Sequence, residues 1–193
     1  TPAIGQLNTT VVDFGIVHKG DVVGARNVSV TNAAAVAAPN DVLRGSLGGA
    51  AGPFTASGSL AGVAAQATDT SSLSVALDTA VAGVFNGSAA ASFSSHNDEM
   101  ADLALTGATV ALKAQVNNFA ELALGKVGGD GALSSAASSY TLDFGTIVLG
   151  STDRAAELGV FNIAAGPADL LNGTFTFAEG SGFSFAGFNP FAD

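Results

Sequence analysis

The chain has no cysteine and no tryptophan, one tyrosine, one methionine and two histidines, and only 6 Lys and Arg against 16 Asp and Glu. Without cysteine there is no disulfide framework, no thiol nucleophile and no thiolate-ligated metal. Lys19, Arg26, Arg44, Lys113, Lys126 and Arg154 are scattered along a chain of formal charge −10. They form no basic patch, so nucleic acid is not an expected partner. His18 and His96 lie far apart and make no His-x-x-x-His zinc pair. No apolar run approaches the ~20 residues of a membrane-crossing helix, so no membrane span is expected. The chain starts at Thr1 with neither an initiator Met nor a leader-like segment, which reads as a processed or partial polypeptide.

What is present is small and apolar. Hydrophobic residues make up 48% of 193 residues, which argues against disorder. Much of that fraction is Ala, so the large core formers, 13 Phe with Leu and Val, must be used economically. The length allows one or two domains. Alternation is the dominant pattern: Val28 and Val30, then Leu73, Val75 and Leu77, then Phe85, Gly87, Ala89, Ala91 and Phe93. Leu103 and Leu105 continue it, as do Phe175, Phe177, Phe183 and Phe185. Period two with polar residues between is what half-buried antiparallel strands require. Turn material separates these runs at Gly20, "GGAAGP" (48–53), Asn86-Gly87, "GGDG" (128–131), Asn172-Gly173 and "EGSG" (179–182). Asn86-Gly87 predicts a hairpin turn. "AAAVAA" (33–38) has helical propensity, but Pro39 and the surrounding strand signals make it a loop.

Part of the sequence is written twice. Asp13, Phe14, Gly15 and Gly20 match Asp143, Phe144, Gly145 and Gly150, and Asn32 matches Asn162 at the same offset. "PNDVLRGSL" (39–47) then matches "PADLLNGTF" (167–175), and Phe54 matches Phe183. Ordered matches over this span indicate a duplicated module, 1–114 followed by 115–193. After Phe54 the first copy continues through three further strand patterns, whereas after Phe183 the second has only "SFAGFNPFAD". "VNNFAELALGKVGGDG" (116–131) precedes the second copy and has no visible counterpart before the first. The chain is expected to begin and end inside a repeat.

Asp-Phe-Gly also holds the metal ion in protein kinases. That chemistry needs a Gly-rich phosphate loop, a strand Lys and a His-Arg-Asp loop, and none is here. A structural role accounts for each position instead. Phe14 and Phe144 point inward from a first strand, and Gly15 and Gly145 permit a bulge or a close backbone approach. Gly20 and Gly150 supply a turn, Asn32 and Asn162 mark the end of the next strand, and Asp13 and Asp143 face outward.

"VDFGIVHKGDVVGARNVSVTN" resembles the opening strands of Hydin-type (ASH) modules, which begin with a strand of this Asp-Phe-Gly kind and follow it with one ending in Thr-Asn. The stretch from "NNFAELALGKVGGDG" to "FTFAEGSGF" is similar to bacterial choice-of-anchor D repeats. The resemblance implies tandem immunoglobulin-like β-sandwich modules, all-β, the second incomplete at its C-terminal side. It also implies a secreted bacterial protein, and it carries no catalytic residues.

"SSHNDEMAD" (94–102) is the densest polar cluster. His96, Asp98, Glu99 and Asp102 offer oxygen and nitrogen ligands, and carboxylates of this kind suit Ca²⁺. The spacing matches no EF-hand loop, and such runs more often form a solvated inter-strand turn, so no cofactor is assigned. No Gly-x-Ser-x-Gly nucleophile elbow accompanies the Ser, His and Asp residues. The absence of Trp leaves a sugar-stacking platform poorly supplied. The expectation is a non-enzymatic extracellular structural or adhesive protein of a bacterial surface, matrix or filament. The incomplete second copy is expected to be completed by chain continuing past Asp193 or by intersubunit β-strand pairing, and the expected partners are copies of itself or other surface proteins. The alternative class is a glycan- or calcium-binding accessory module of a secreted protein.

Overall fold

The computed structural model describes residues 1–177 and 182–191. The chain divides into two compact units, Thr1–Asn117 and Asn118–Asp193. All regular structure among the described residues is strand, as the period-two patterning predicts.

The first unit runs β1 (Gly5–Leu7), β2 (Val11–His18), β3 (Arg26–Asn32), β4 (Val42–Gly48), β5 (Phe54–Val63), β6 (Thr68–Leu77), β7 (Gly83–His96) and β8 (Leu103–Asn117). The strands form one curled sheet in the order β1-β3-β6-β5-β4-β7-β8-β2. Every neighbouring pair is antiparallel except β2 with β8. The curl comes from β5, whose Phe54–Gly58 half pairs with β6 while residues from Ser59 to Val63 pair with β4. Gly58 sits at this corner with φ +112°, and a Cβ there would lie 2.0 Å from the Ser72 carbonyl oxygen. No other residue type fits that approach. The sheet thus folds into two facing layers, an all-β, sandwich-like arrangement.

Between the layers the inward residues of each strand meet. Val28 and Val30 of β3, Leu73 and Val75 of β6, Leu43 of β4, and Val110 and Val116 of β8 are fully buried. Each such side chain contributes about 1.5–3 kcal/mol by leaving water. Phe14 of β2 is buried and stacks on Phe54 at 6.2 Å. Ala89, Ala91 and Phe93 of β7 face the same core.

In the second unit β9 (Leu122–Gly129) pairs antiparallel with β12 (Ala156–Asn162), and β10 (Ala132–Ala136) with β11 (Ser139–Asp143). Isolated bridges join Asn118 to Ala168 and Gly173 to Phe191. Through the 130-residue offset β11 matches β2 and β12 matches β3. Counterparts of β6, β7 and β8 do not occur among the described residues.

Several local expectations change. Asn86-Gly87 is no hairpin turn: it lies inside β7, opposite Lys113 and Leu112. The glycine gives room to the Phe54 ring, which a Cβ at this position would approach to 3.3 Å. Leu103 is exposed although Val110 and Leu112 are buried. The β7–β8 register shifts between Ala91 and Phe93, which lets odd-numbered Leu105 and even-numbered Val110 both pack on the core, while Leu103, on the Leu105 face, is exposed at the start of the strand. Asn172-Gly173 is not a free turn, because Gly173 forms the bridge to Phe191. Phe175, Phe177, Phe183 and Phe185 lie outside any strand; "EGSG" falls largely outside the described residues. Strand β8 extends to Asn117, past the boundary expected after residue 114. Before the first copy, β1 pairs with β3 as β9 pairs with β12, so residues 116–131 do have a short structural counterpart.

Candidate functional site

The duplicated positions carry duplicated bonds. Asp13 Oδ1 accepts a hydrogen bond from Gly15 N at 2.8 Å, and Asp143 Oδ1 accepts one from Gly145 N at 2.7 Å. These are Asx turns, and Gly15 (φ +72°) and Gly145 (φ +69°) take the left-handed conformation that follows. Each carboxylate therefore bonds the backbone two residues on. Gly20 and Gly150 share the left-handed conformation, at φ +87° and +81°. Their turns close with Asp21 N on His18 O and Ser151 N on Val148 O, both at 3.1 Å.

The two asparagines do more than mark strand ends. Asn32 is fully buried; its Oδ1 accepts from Ile4 N and Ala34 N, and its Nδ2 donates to Val63 O and, at 3.5 Å, to Asp41 O. Asn162 repeats the scheme: Oδ1 accepts from Glu121 N and Ala164 N, and Nδ2 donates to Asp169 O. Ala34 and Ala164 are each two residues on, and Asp41 and Asp169 are aligned in the repeat. One side chain thus ties four backbone positions together in the first unit and three in the second. The Thr-Asn and Phe-Asn strand ends were the only sequence signal for it, and they gave no hint of the partners.

The equivalence ends at the core. Val12, Phe14, Val28 and Phe54 are all buried in the first unit. Their matches Leu142, Phe144, Leu158 and Phe183 line an open cavity of about 1000 Å³. Phe144 stays half-buried and meets Phe183 at 6.4 Å, while Phe183 is 64% exposed. In the first unit that space is filled from β6, β7 and β8 by residues such as Leu73, Ala89 and Leu112. Phe175, Phe177, Phe185, Phe188 and Phe191 associate with one another instead: Phe177 stacks on Phe185 at 4.5 Å and meets Phe188 edge-on at 5.1 Å.

The polar cluster at residues 94–102 is brought together, but around its own histidine. His96 Nδ1 lies 2.6 Å from Asp102 Oδ1, and Nε2 lies 3.4 Å from Asp98 without hydrogen-bond geometry. Asp98 is fully exposed, and the Glu99 backbone N–H caps Asn97 Oδ1. Among the described residues no group of three or more His, Asp and Glu is arranged to hold a metal ion. A neighbouring network went unread in the sequence. Asp41 accepts from Ser95 Oγ at 2.7 Å and from Asn97 Nδ2 at 3.0 Å, while Ser95 Oγ accepts from Ala3 N. The Ser95 hydroxyl, then the Asn97 amide, hold the Asp41 carboxyl below its ordinary pKa.

Among the described residues no helix is long and apolar enough to cross a membrane. No protein-family model matches the chain, and no curated protein matches its sequence.

Proposed function

We propose that this chain is a non-enzymatic structural or adhesive component of a bacterial cell surface, extracellular matrix or filament, built from tandem immunoglobulin-like modules. The observation that carries the reading is the pairing of Asn32 with Asn162 and of Asp13 with Asp143: the positions written twice are engaged in backbone scaffolding in both units. Residues kept for chemistry would present free polar groups to a substrate, whereas these are committed to turns and strand ends. The resemblance to choice-of-anchor D repeats supports placement outside the cell. The strongly acidic surface suits a protein that stays soluble until it meets its own contact sites. Copies of the chain, or other surface proteins, are its partners.

Electron microscopy of the native extracellular material, with antibody labelling, tests this reading. Labelled sheets or filaments support it. Dispersed label, together with saturable binding of Ca²⁺ or a glycan by calorimetry, overturns it in favour of an accessory binding module.

A further inference from the structure

Each sheet edge in the described chain can be compared for its protection against pairing. In the first unit the outer strands are β1 and β2. β1 has only three residues, and β2 carries an exposed Asp13 and an irregularity between Asp13 and Ile16. Shortness, charge and bulges are the usual defences of an edge. In the second unit β10 and β11 have five residues each. β9 carries Lys126 and a register shift opposite Glu157 and Leu158. The free edge of β12 is the least defended of these. It offers seven residues, "AELGVFN", with one charge and no proline, and Phe161 is 46% exposed. The first unit shows what such an edge does when a strand is present: β3, the match of β12, pairs along it with β6, Val28 opposite Leu73.

We infer that the free edge of β12 pairs antiparallel with β12 of a second copy of this chain, about a two-fold axis at Gly159. A two-fold contact is self-complementary, and the same patch serves both copies. Centring it on Gly159 sets Leu158 opposite Val160 of the second copy and Glu157 opposite Phe161 of the second copy. The single acid on the edge therefore never faces its own image. No other described edge competes, so the occupant is β12 itself. The pairing deepens the assembly reading above and rests on it, because it names the contact through which copies meet. Net charge opposes association, so added salt strengthens the dimer.

The test is sedimentation velocity on the 193-residue chain over a range of concentrations, at low and high salt, with circular dichroism as the control for folding. The expected result is a concentration-dependent dimer favoured by salt. Phe161→Glu places two acids face to face on both sides of the axis and weakens the dimer at least about tenfold. Phe161→Lys, facing Glu157 of the second copy, keeps it. The double change Glu157→Lys with Phe161→Glu restores it, which covers the case where Phe161→Glu alone disturbs the ring packing over Gly125 and Gly159. A chain that stays monomeric at every concentration overturns the inference, as does a dimer indifferent to these charge changes. Labelled filaments combined with an indifferent dimer would sink this contact and leave the structural reading standing. A dimer that obeys the charge pattern, with no surface assembly in microscopy, would do the reverse.

Discussion

Replacing Asn32 and Asn162 by Ala, one at a time, separates the energy of a hydrogen-bond scheme from the energy of the place it occupies. Both side chains accept two backbone N–H groups and donate to a backbone carbonyl. Asn32 is 0% exposed, while Asn162 is exposed. In Asn32→Ala the Ala34 N–H and the Val63 carbonyl lose a partner in the interior, and the part-buried Ile4 N–H loses one beside it. At about 1 kcal/mol or somewhat more for each stranded group, the loss is about 3 kcal/mol. For a unit of this size that lowers the melting temperature by about 12 °C or more. In Asn162→Ala water takes over the same three groups, and the loss is about 0.5–1 kcal/mol. Urea unfolding followed by circular dichroism reads the first unit, which holds most of the strands. Fluorescence of Tyr140, the only tyrosine and a residue of β11, reads the second. Equal costs for the two substitutions would refute the reasoning, as would an Asn32→Ala protein as stable as the parent.

Gly15→Ala and Gly145→Ala meet open space, so only the left-handed backbone resists them; each is expected to cost about 1–2 kcal/mol in calorimetry. Gly58→Ala drives a methyl group onto the Ser72 carbonyl oxygen at the corner of β5 and is expected to leave the first unit unfolded by circular dichroism at room temperature, while the Tyr140 signal persists. The pKa of Asp41 is lowered by Ser95 and Asn97, and that of Asp69 by the Ser72 hydroxyl and backbone N–H. Depressed folded-state values mean that these carboxylates stabilise the fold above their unfolded pKa. That contribution disappears as the pH falls below about 4 and through the folded values. Asp41→Asn is therefore expected to make the acid limb of the stability curve shallower, measured by urea midpoints across that range.

The all-strand character was legible because alternation survives over most of the first unit, broken only locally as in β5 and β8, and because Val28, Val30, Leu73, Val75 and Leu77 are buried on the faces their spacing implies. The positions of the repeated turns were legible too, since left-handed backbone at Gly15, Gly20, Gly145 and Gly150 leaves its mark as glycine. Asn86-Gly87 misled because local turn chemistry was overridden by pairing along the whole of β8, with Gly87 making room for Phe54. The bonds of Asn32, and the Asp41–Ser95–Asn97 network, were illegible for a plain reason. Their partners lie up to 92 residues apart, as with Ala3 and Ser95, and no local pattern encodes a contact of that range. Phe144 reads like Phe14, yet its burial depends on strands supplied from elsewhere in the chain. Its half-buried state is a property of its neighbours, which its own motif does not record.

The central claim is that one scaffold is built twice and that, among the described residues, only the first copy has its core covered. Residue-resolved amide hydrogen exchange by NMR, at concentrations where the chain is monomeric, tests it most directly. The account predicts slow exchange at the successive amides Ser29 to Asn32 of β3, held by β6 and the residue before it on one side and by β1 and Thr9 on the other, and in β12 slow exchange confined to the amides that face β9. Protection of β12 as deep and continuous as that of β3, under the same dilute conditions, would contradict it.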